Sequence, residues 1–195
     1  MQGVNLGLIS IFFPLVLAAV STFPTYPSRQ AREYPVSVEN AGIAIGLEPV
    51  ENSPAQETYF HTDLKKKGFL PIFLVIENGT SASSFIFDKT RVTYGPADSA
   101  ISTPQPGVGA GPVLALSAIP FVGVFAAADV ISKASQIQEN LLKREIQSTT
   151  LSPGISVRGF LYIPISRKGP RGKTTLHVPI SKAGTNETFD LNLVF

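Results

Sequence analysis

The sequence FLPIFLVIENGT, at residues 69–80, gives the strongest indication of the fold. From Phe69 to Ile76 the side chains are apolar on both alternating faces, which is typical of a strand buried at the centre of a sheet. The tetrapeptide ENGT that follows is a strong turn signal. This stretch therefore predicts a central strand that ends in a tight turn.

Shorter segments on both sides of this stretch alternate between apolar and polar residues. They lie at residues 36–39, 43–47, 85–87, 92–94, 155–165, 174–180 and 189–195. Seven or eight short strands separated by turn residues predict a mainly β fold, an immunoglobulin-like antiparallel β-sandwich. Proline cannot donate to a strand ladder, so prolines in these segments should lie at edges, strand starts or bulges. The four prolines concerned are Pro35, Pro71, Pro164 and Pro179.

Apolar side chains on the inner faces of these strands should form the core. We expect eight of them to be largely buried: Phe73, Val75, Ile76, Phe87, Leu161, Ile163, Leu191 and Leu193. The β-sandwich domain is predicted to span residues 36–195.

Residues 99–150 interrupt the strand pattern. The stretch from Ser99 to Ala128 carries no charge, is rich in Gly and Pro at first and is then apolar. Residues 129–147 follow with the pattern of an amphipathic helix, whose apolar positions are Val130, Ala134, Ile137 and Leu141. We predict a helical insertion at about residues 111–147, between two strands of the sandwich.

The apolar part of the insertion has two interpretations. The 17 residues from Pro112 to Ala128 are at the lower limit for a membrane-spanning helix. Alternatively, they form a helix that covers the sandwich, with Pro112 in its first turn and a kink at Pro120. We favour the second interpretation, in which the apolar side chains of residues 112–128 are buried against the protein. Six side chains are candidates for contact with a membrane or a partner: Val113, Leu114, Leu116, Phe121, Val124 and Phe125.

The N-terminus predicts export. Residues 1–20 carry no charged side chain, and the fifteen residues from Leu6 to Val20 fit the apolar region of a secretory signal peptide. Small residues around Ala19 suit cleavage, although no Lys or Arg precedes the apolar region. We expect a signal peptide, or an N-terminal anchor, at residues 1–20 and an extended, proline-rich linker at residues 21–35.

The charge of the chain is uneven. The net charge is +2, but residues 146–186 carry six basic residues and no acidic one. Four of these bases lie in one loop between two strands: Arg167, Lys168, Arg171 and Lys173. Such a loop can contact phosphate, lipid headgroups or acidic glycans. It has no aromatic residues to stack on bases, so we do not expect a nucleic-acid partner.

The residues available for catalysis or metal binding are few. The sequence has no Cys and only two His, which excludes disulfides, thiolate nucleophiles and thiolate metal sites. In a strand, His61 and Asp63 would share a face and could orient an imidazole, but no G-x-S-x-G nucleophile elbow accompanies them. His177 is expected on a strand, facing solvent. We predict no enzyme activity, no cofactor and no small-molecule substrate.

Several short segments resemble uncharacterised bacterial envelope proteins. They are YFHTDL at residues 59–64, GFLPIFLVIEN at 68–78, LSPG at 151–154 and GFLY at 159–162. Many of those proteins are lipoproteins with an immunoglobulin-like domain and a helical insertion rich in Gly and Ala. Here residues 15–19 have the form of a lipoprotein box, but Val20 stands where the lipidated Cys would be. The resemblance therefore implies an envelope protein that is not anchored by that lipid.

These observations predict an exported protein of the bacterial envelope, periplasmic or membrane-associated, that binds or scaffolds an envelope protein or the membrane surface. One alternative is a membrane-attached protein that uses residues 1–20 or 112–128 as its anchor. Another is a small outer-membrane β-barrel, since apolar residues alternate from Phe189 to Phe195, although such strands need about 9–11 residues.

Overall fold

The computed structural model describes residues 24–96, 111–112, 131–165 and 172–195. Within these ranges the chain forms ten strands: β1 (Val36–Asn40), β2 (Ile43–Pro49), β3 (Phe69–Asn78), β4 (Phe85–Phe87), β5 (Thr93–Pro96), β6 (Gly111–Pro112), β7 (Thr149–Leu151), β8 (Ser156–Pro164), β9 (Thr174–Lys182) and β10 (Thr188–Val194). It also forms the helices α1 (Ser53–Phe60) and α2 (Ile131–Arg144), and single 3-10 turns at Ala31–Glu33 and Lys89–Arg91. The structure confirms the predicted mainly β fold class.

The strands form two antiparallel sheets. Sheet A has the order β1-β2-β3-β8, and sheet B has the order β6-β5-β9-β4-β7 with β10 also paired to β9. Both β4 and β5 pair with β9, and the 3-10 turn at Lys89–Arg91 separates them. Pro179 lies opposite this break, between the β9 residues that pair with β4 and those that pair with β5. Its missing N–H is therefore tolerated at an interruption of the ladder, in the interior of β9 instead of at an edge, a strand start or a bulge.

The main core lies between the two sheets. Sheet A contributes alternate residues of β2, β3 and β8, such as Ile45, Ile76 and Leu161, and sheet B contributes residues such as Phe87 and Leu191. All eight predicted core residues are buried, at 4% exposure or less. Six of them belong to this core, whereas Phe73 and Val75 point to the other face of sheet A.

A second apolar layer covers that outer face of sheet A. Phe73 and Phe160, which are register partners on β3 and β8, lie at its centre with ring centroids 5.0 Å apart. The covering side chains come from α1 and its flanking residues, from α2 and from the segment before β1: Ala31, Tyr34, Val50, Phe60, Leu64 and Leu141. Sheet A is therefore buried on both faces, which explains why β3 is apolar at consecutive positions.

The segment before β1 belongs to the packed domain. We expected residues 21–35 to be an extended linker, but in the described part, residues 24–34, Ala31 and Tyr34 are buried against sheet A. Gly46 makes this possible, because a Cβ at that position would lie 2.7 Å from Cδ2 of Tyr34. The packed structure therefore begins before residue 36.

Helix α2 confirms part of the predicted insertion. Leu141 is fully buried and Ile137 packs against the outer layer, as the amphipathic pattern predicts. The start of the insertion differs from our expectation. Gly111–Pro112 pairs with β5 as a short strand, so Pro112 is not in the first turn of a helix. The intervening residues 113–130 lie outside the described residues.

Helix α1 was not predicted. The side chain of Asn52 caps its N-terminus by accepting from the N–H of Ala55, with Pro54 in the first turn. The helix ends at Phe60, and the capping residue His61 adopts the left-handed conformation at φ 54°. The strand geometry that would have placed His61 and Asp63 on one face is therefore wrong.

Candidate functional site

The predicted contact residues fall in two segments of the chain, one basic and one apolar. Of the basic loop, Lys173 is described and exposed. The other predicted anion contacts, Arg167, Lys168 and Arg171, lie outside the described residues, as do all six apolar candidates: Val113, Leu114, Leu116, Phe121, Val124 and Phe125. The structure describes the strands β5, β6, β8 and β9, at which these segments begin or end.

A hydrogen bond between the sheets holds the start of the basic segment. The hydroxyl of Tyr94, on β5 of sheet B, donates to the carbonyl oxygen of Pro164, the last residue of β8 in sheet A, at 3.0 Å. The next residue, Ile165, donates its N–H to the carbonyl oxygen of Gly68 at 2.8 Å. The basic segment therefore leaves the sandwich beside β5.

The borders of the uncharged segment lie at the same place. Pro96, the last residue of β5, pairs with Thr174, the first residue of β9. Gly111 returns to pair with Tyr94. Residues 97–110 and residues 166–171 are thus both connected to strand ends that neighbour each other through β5. The borders of a segment with a single charge, Asp98, and of a strongly basic segment therefore lie next to each other.

A lysine-rich turn adjoins this end. Lys65, Lys66 and Lys67 precede Gly68, whose carbonyl binds Ile165. Lys65 lies 3.4 Å from a carboxylate oxygen of Glu51. Burial lowers the pKa of Lys67 below its ordinary value. The turn adds cationic groups to the end of the sandwich that carries Lys173.

Asp63 stabilises this turn. Its side chain is 5% exposed, and burial would raise its pKa, but hydrogen bonds from the Ser53 hydroxyl and from Lys66 lower it below the ordinary value. The N–H of Lys66 donates to Oδ1 at 3.0 Å, and Nζ of Lys66 lies 3.2 Å from Oδ2. The carboxylate is therefore engaged as a structural acceptor, and His61 at the end of α1 is not presented to it from a strand face.

Gln56 joins α1 to the same turn. It is fully buried, donates to the carbonyl oxygen of Val50 at 2.6 Å and accepts from the N–H of Lys65 at 2.9 Å. This amide fixes the lysine-rich turn against the start of β3. Sequence reasoning missed its role, because a Gln in an unpredicted helix carries no motif.

His177 makes cross-strand contacts on the outer face of sheet B. It lies on β9 as predicted, and Nδ1 is 2.8 Å from Oδ1 of Asn192 on β10. Its Nε2 is 3.4 Å from Oδ1 of Asp190 on the same strand. The side chain retains 20% exposure. These contacts tie β9 to β10.

An ion pair fixes the chain where it leaves α2. Nζ of Lys89 lies 2.9 Å from Oε2 of Glu145, and the two side chains are 17% and 4% exposed. The N–H of Lys89 also donates to the hydroxyl of Ser148 at 3.0 Å. These contacts join the break between β4 and β5 to the segment that leads into β7, and so fix where the insertion returns to sheet B.

Two further observations concern the described part of the chain. No group of three or more His, Asp or Glu side chains within it is placed to hold a metal ion. None of the helices in the described ranges is both long and apolar enough to cross a membrane.

Comparison with known proteins gives no assignment. No model of a protein family matches the chain, and a search of curated protein sequences gives no significant match.

Proposed function

We propose that the protein is an exported, non-enzymatic protein of the bacterial envelope that binds or scaffolds a partner through one end of its β-sandwich. The observation that supports this most directly is the contact between Tyr94 and Pro164, together with the pairing of Pro96 with Thr174. These contacts bring the borders of the uncharged and the basic segments to one end of the domain.

The chemistry of this end suits two kinds of partner. Basic side chains attract anionic lipid headgroups and acidic protein surfaces, and a neighbouring uncharged segment supplies apolar contact area. Lys173 is the described, exposed member of the predicted anion contacts. We favour an envelope protein or the membrane surface as the partner, and neither a nucleic acid nor a small-molecule substrate.

The main alternative is a protein that remains attached to the membrane. Its support comes from the N-terminal side of the domain, where Nη2 of Arg144 donates to the carbonyl oxygen of Pro24 at 2.8 Å. Only residues 21–23 separate Pro24 from the predicted apolar segment at residues 1–20. An uncleaved N-terminus would then hold the domain close to the lipid surface.

The membrane-attached alternative can also use residues 112–128 as its anchor, and these residues would then be covered by lipid instead of by protein. We expect the protein that lacks residues 1–20 to be soluble without detergent, and Phe121→Asp to destabilise it by about 2 kcal/mol, because an unpaired charge would enter an apolar environment. Urea denaturation measures the stability, and sedimentation with vesicles of zwitterionic and anionic lipid measures membrane binding.

Ile86→Asp provides the matched control, because Ile86 is 42% exposed on sheet B and should tolerate the charge. If the original protein sediments with zwitterionic vesicles, and Phe121→Asp abolishes this while folding stays intact, residues 112–128 are sheltered by lipid. That result would replace our proposal with the membrane-attached form.

A further inference from the structure

Residues 24–29, which we call the strap, cross the outer face of sheet A. The ring of Tyr26 lies among three aromatic rings of the domain. Its centroid is 4.8 Å from that of Tyr59 on α1, 4.7 Å from that of Phe73 on β3 and 5.2 Å from that of Phe160 on β8. These three side chains form what we call the aromatic groove, which Tyr26 fills.

Tyr26 is the strap residue that packs against the apolar outer layer. Apart from Tyr26, its residues are exposed. Their polar contacts involve three arginines. Arg144 donates to the carbonyl oxygen of Pro24 at 2.8 Å, and Arg158 donates to the hydroxyl of Ser28 at 3.2 Å. Arg29, in the strap itself, lies 3.2 Å from a carboxylate oxygen of Glu48 and donates its N–H to the hydroxyl of Tyr34 at 3.3 Å. Hydrogen bonds between exposed groups add little net stability, since water replaces them.

The next residues are held much more firmly. Ala31 is fully buried and Tyr34 is 3% exposed, both against the position where Gly46 leaves room for them. Gln30, between the two parts, has extended backbone angles of φ −64° and ψ 149°. Rotation near Gln30 would release the strap from the groove and break the contacts of Arg29 with Tyr34 and Glu48, while Ala31 and the ring of Tyr34 stay buried.

The sequence of the strap is typical of a peptide ligand. Pro24 and Pro27 flank the two residues Thr25 and Tyr26. Prolines restrict the backbone to an extended form, so little conformational entropy is lost when such a segment binds. Aromatic-lined grooves are the usual receptors of segments of this kind.

We propose that the aromatic groove is a binding site for an extended peptide that carries a tyrosine next to proline, and that the strap of a second copy of this chain can replace the protein's own strap in it. The strap of a second copy fits the aromatic groove, because it has the same sequence as the strap that occupies the groove within one chain. Exchange of an identical segment requires no new complementary surface. This inference does not depend on the proposed function.

The test uses a fluorescent peptide with the sequence PTYPSRQ of residues 24–30. Tyr26→Ala should leave the groove open, and the peptide should bind this variant with one site per chain. The unsubstituted protein should bind the peptide at least about tenfold more weakly. If its own strap occupies the groove in nine-tenths of the molecules, only about one-tenth of the molecules have a groove free for the peptide. Fluorescence anisotropy measures both affinities.

Three variants serve as controls. Tyr26→Phe keeps the ring and should behave as the original protein, and Thr25→Ala, at an exposed position, should do the same. Adding Tyr59→Ala to Tyr26→Ala should weaken peptide binding, because one wall of the groove is lost. Near-ultraviolet circular dichroism shows that each variant is folded.

Analytical ultracentrifugation tests the exchange between copies. The original protein and Tyr26→Phe should form dimers as the concentration rises, and Tyr26→Ala should not. A folded Tyr26→Ala variant that does not bind the peptide, or equal binding by Tyr26→Ala and the original protein, would overturn the site. Peptide binding without dimers of the original protein would overturn the exchange.

Discussion

Leu161→Ala is expected to lower the free energy of unfolding by about 2–5 kcal/mol. Leu161 is 1% exposed on β8, is the register partner of Ile72 on β3, and belongs to the core between the sheets. Shortening it removes buried methyl groups and leaves a cavity that β-strands on both sides cannot easily close. Urea denaturation monitored by circular dichroism measures the change.

Ile155→Ala is the control for this substitution. Ile155 lies just before β8 and is 52% exposed, so its truncation should change stability by less than about 0.5 kcal/mol. A similarly small effect for Leu161→Ala would mean that the faces of β8 are assigned incorrectly, and that the core does not lie where the two sheets meet.

Asn78→Ala should have the second large effect, a loss of about 3 kcal/mol, because several hydrogen-bonding groups lose their partner at once. Asn78 ends β3 and is 1% exposed. Its amide nitrogen donates to the carbonyl oxygens of Ser83 at 2.7 Å and Leu151 at 3.0 Å. Its oxygen accepts from the N–H and the hydroxyl of Thr80 at 3.0 and 2.7 Å.

Asn186→Ala is the matched comparison, because Asn186, like Asn78, is followed by a Thr two positions later but is exposed in a bend. Its truncation should change stability by less than about 0.5 kcal/mol. Equal effects of the two substitutions would show that the Asn78 amide does not join β3 to β7.

The strands were predictable because the side-chain period of a strand is fixed. Residues 69–76 are apolar on both faces, and this predicted a strand buried on both sides. The period does not show which segment covers the second face. Phe73 is covered by Tyr26, which comes from a stretch expected to be a linker. Such packing depends on contacts between distant positions, which a local pattern cannot indicate.

Helix α1 could not be predicted from the sequence for a different reason. Ser53–Phe60 has too few apolar residues to form a stripe, and only the cap at Asn52 and the proline at Pro54 mark its start. The hydrogen bonds of the Asn78 side chain could not be predicted from the sequence either. The sequence marks a turn there, but the amide also reaches Leu151, which is 73 positions away along the chain.

The candidate site was predictable in its composition and not in its placement. The basic residues, including Lys173, and the uncharged stretch from Ser99 to Ala128 stand out in the sequence. That the borders of these two segments lie together follows from the contacts of β5, where the Tyr94 hydroxyl donates to the carbonyl oxygen of Pro164. A tyrosine in a four-residue strand carries no sign of that role in the sequence.

The measurement that tests the proposed function most directly is the mass of the N-terminal peptide of the protein in each fraction of a bacterial host. We expect the protein in the envelope fractions, with the chain beginning near residue 21, because residues 1–20 have the pattern of a signal peptide. Release by osmotic shock would place it in the periplasm, and an intact N-terminus in the membrane fraction would indicate the attached alternative. Recovery of the chain with Met1 in a soluble cytoplasmic pool would contradict the account.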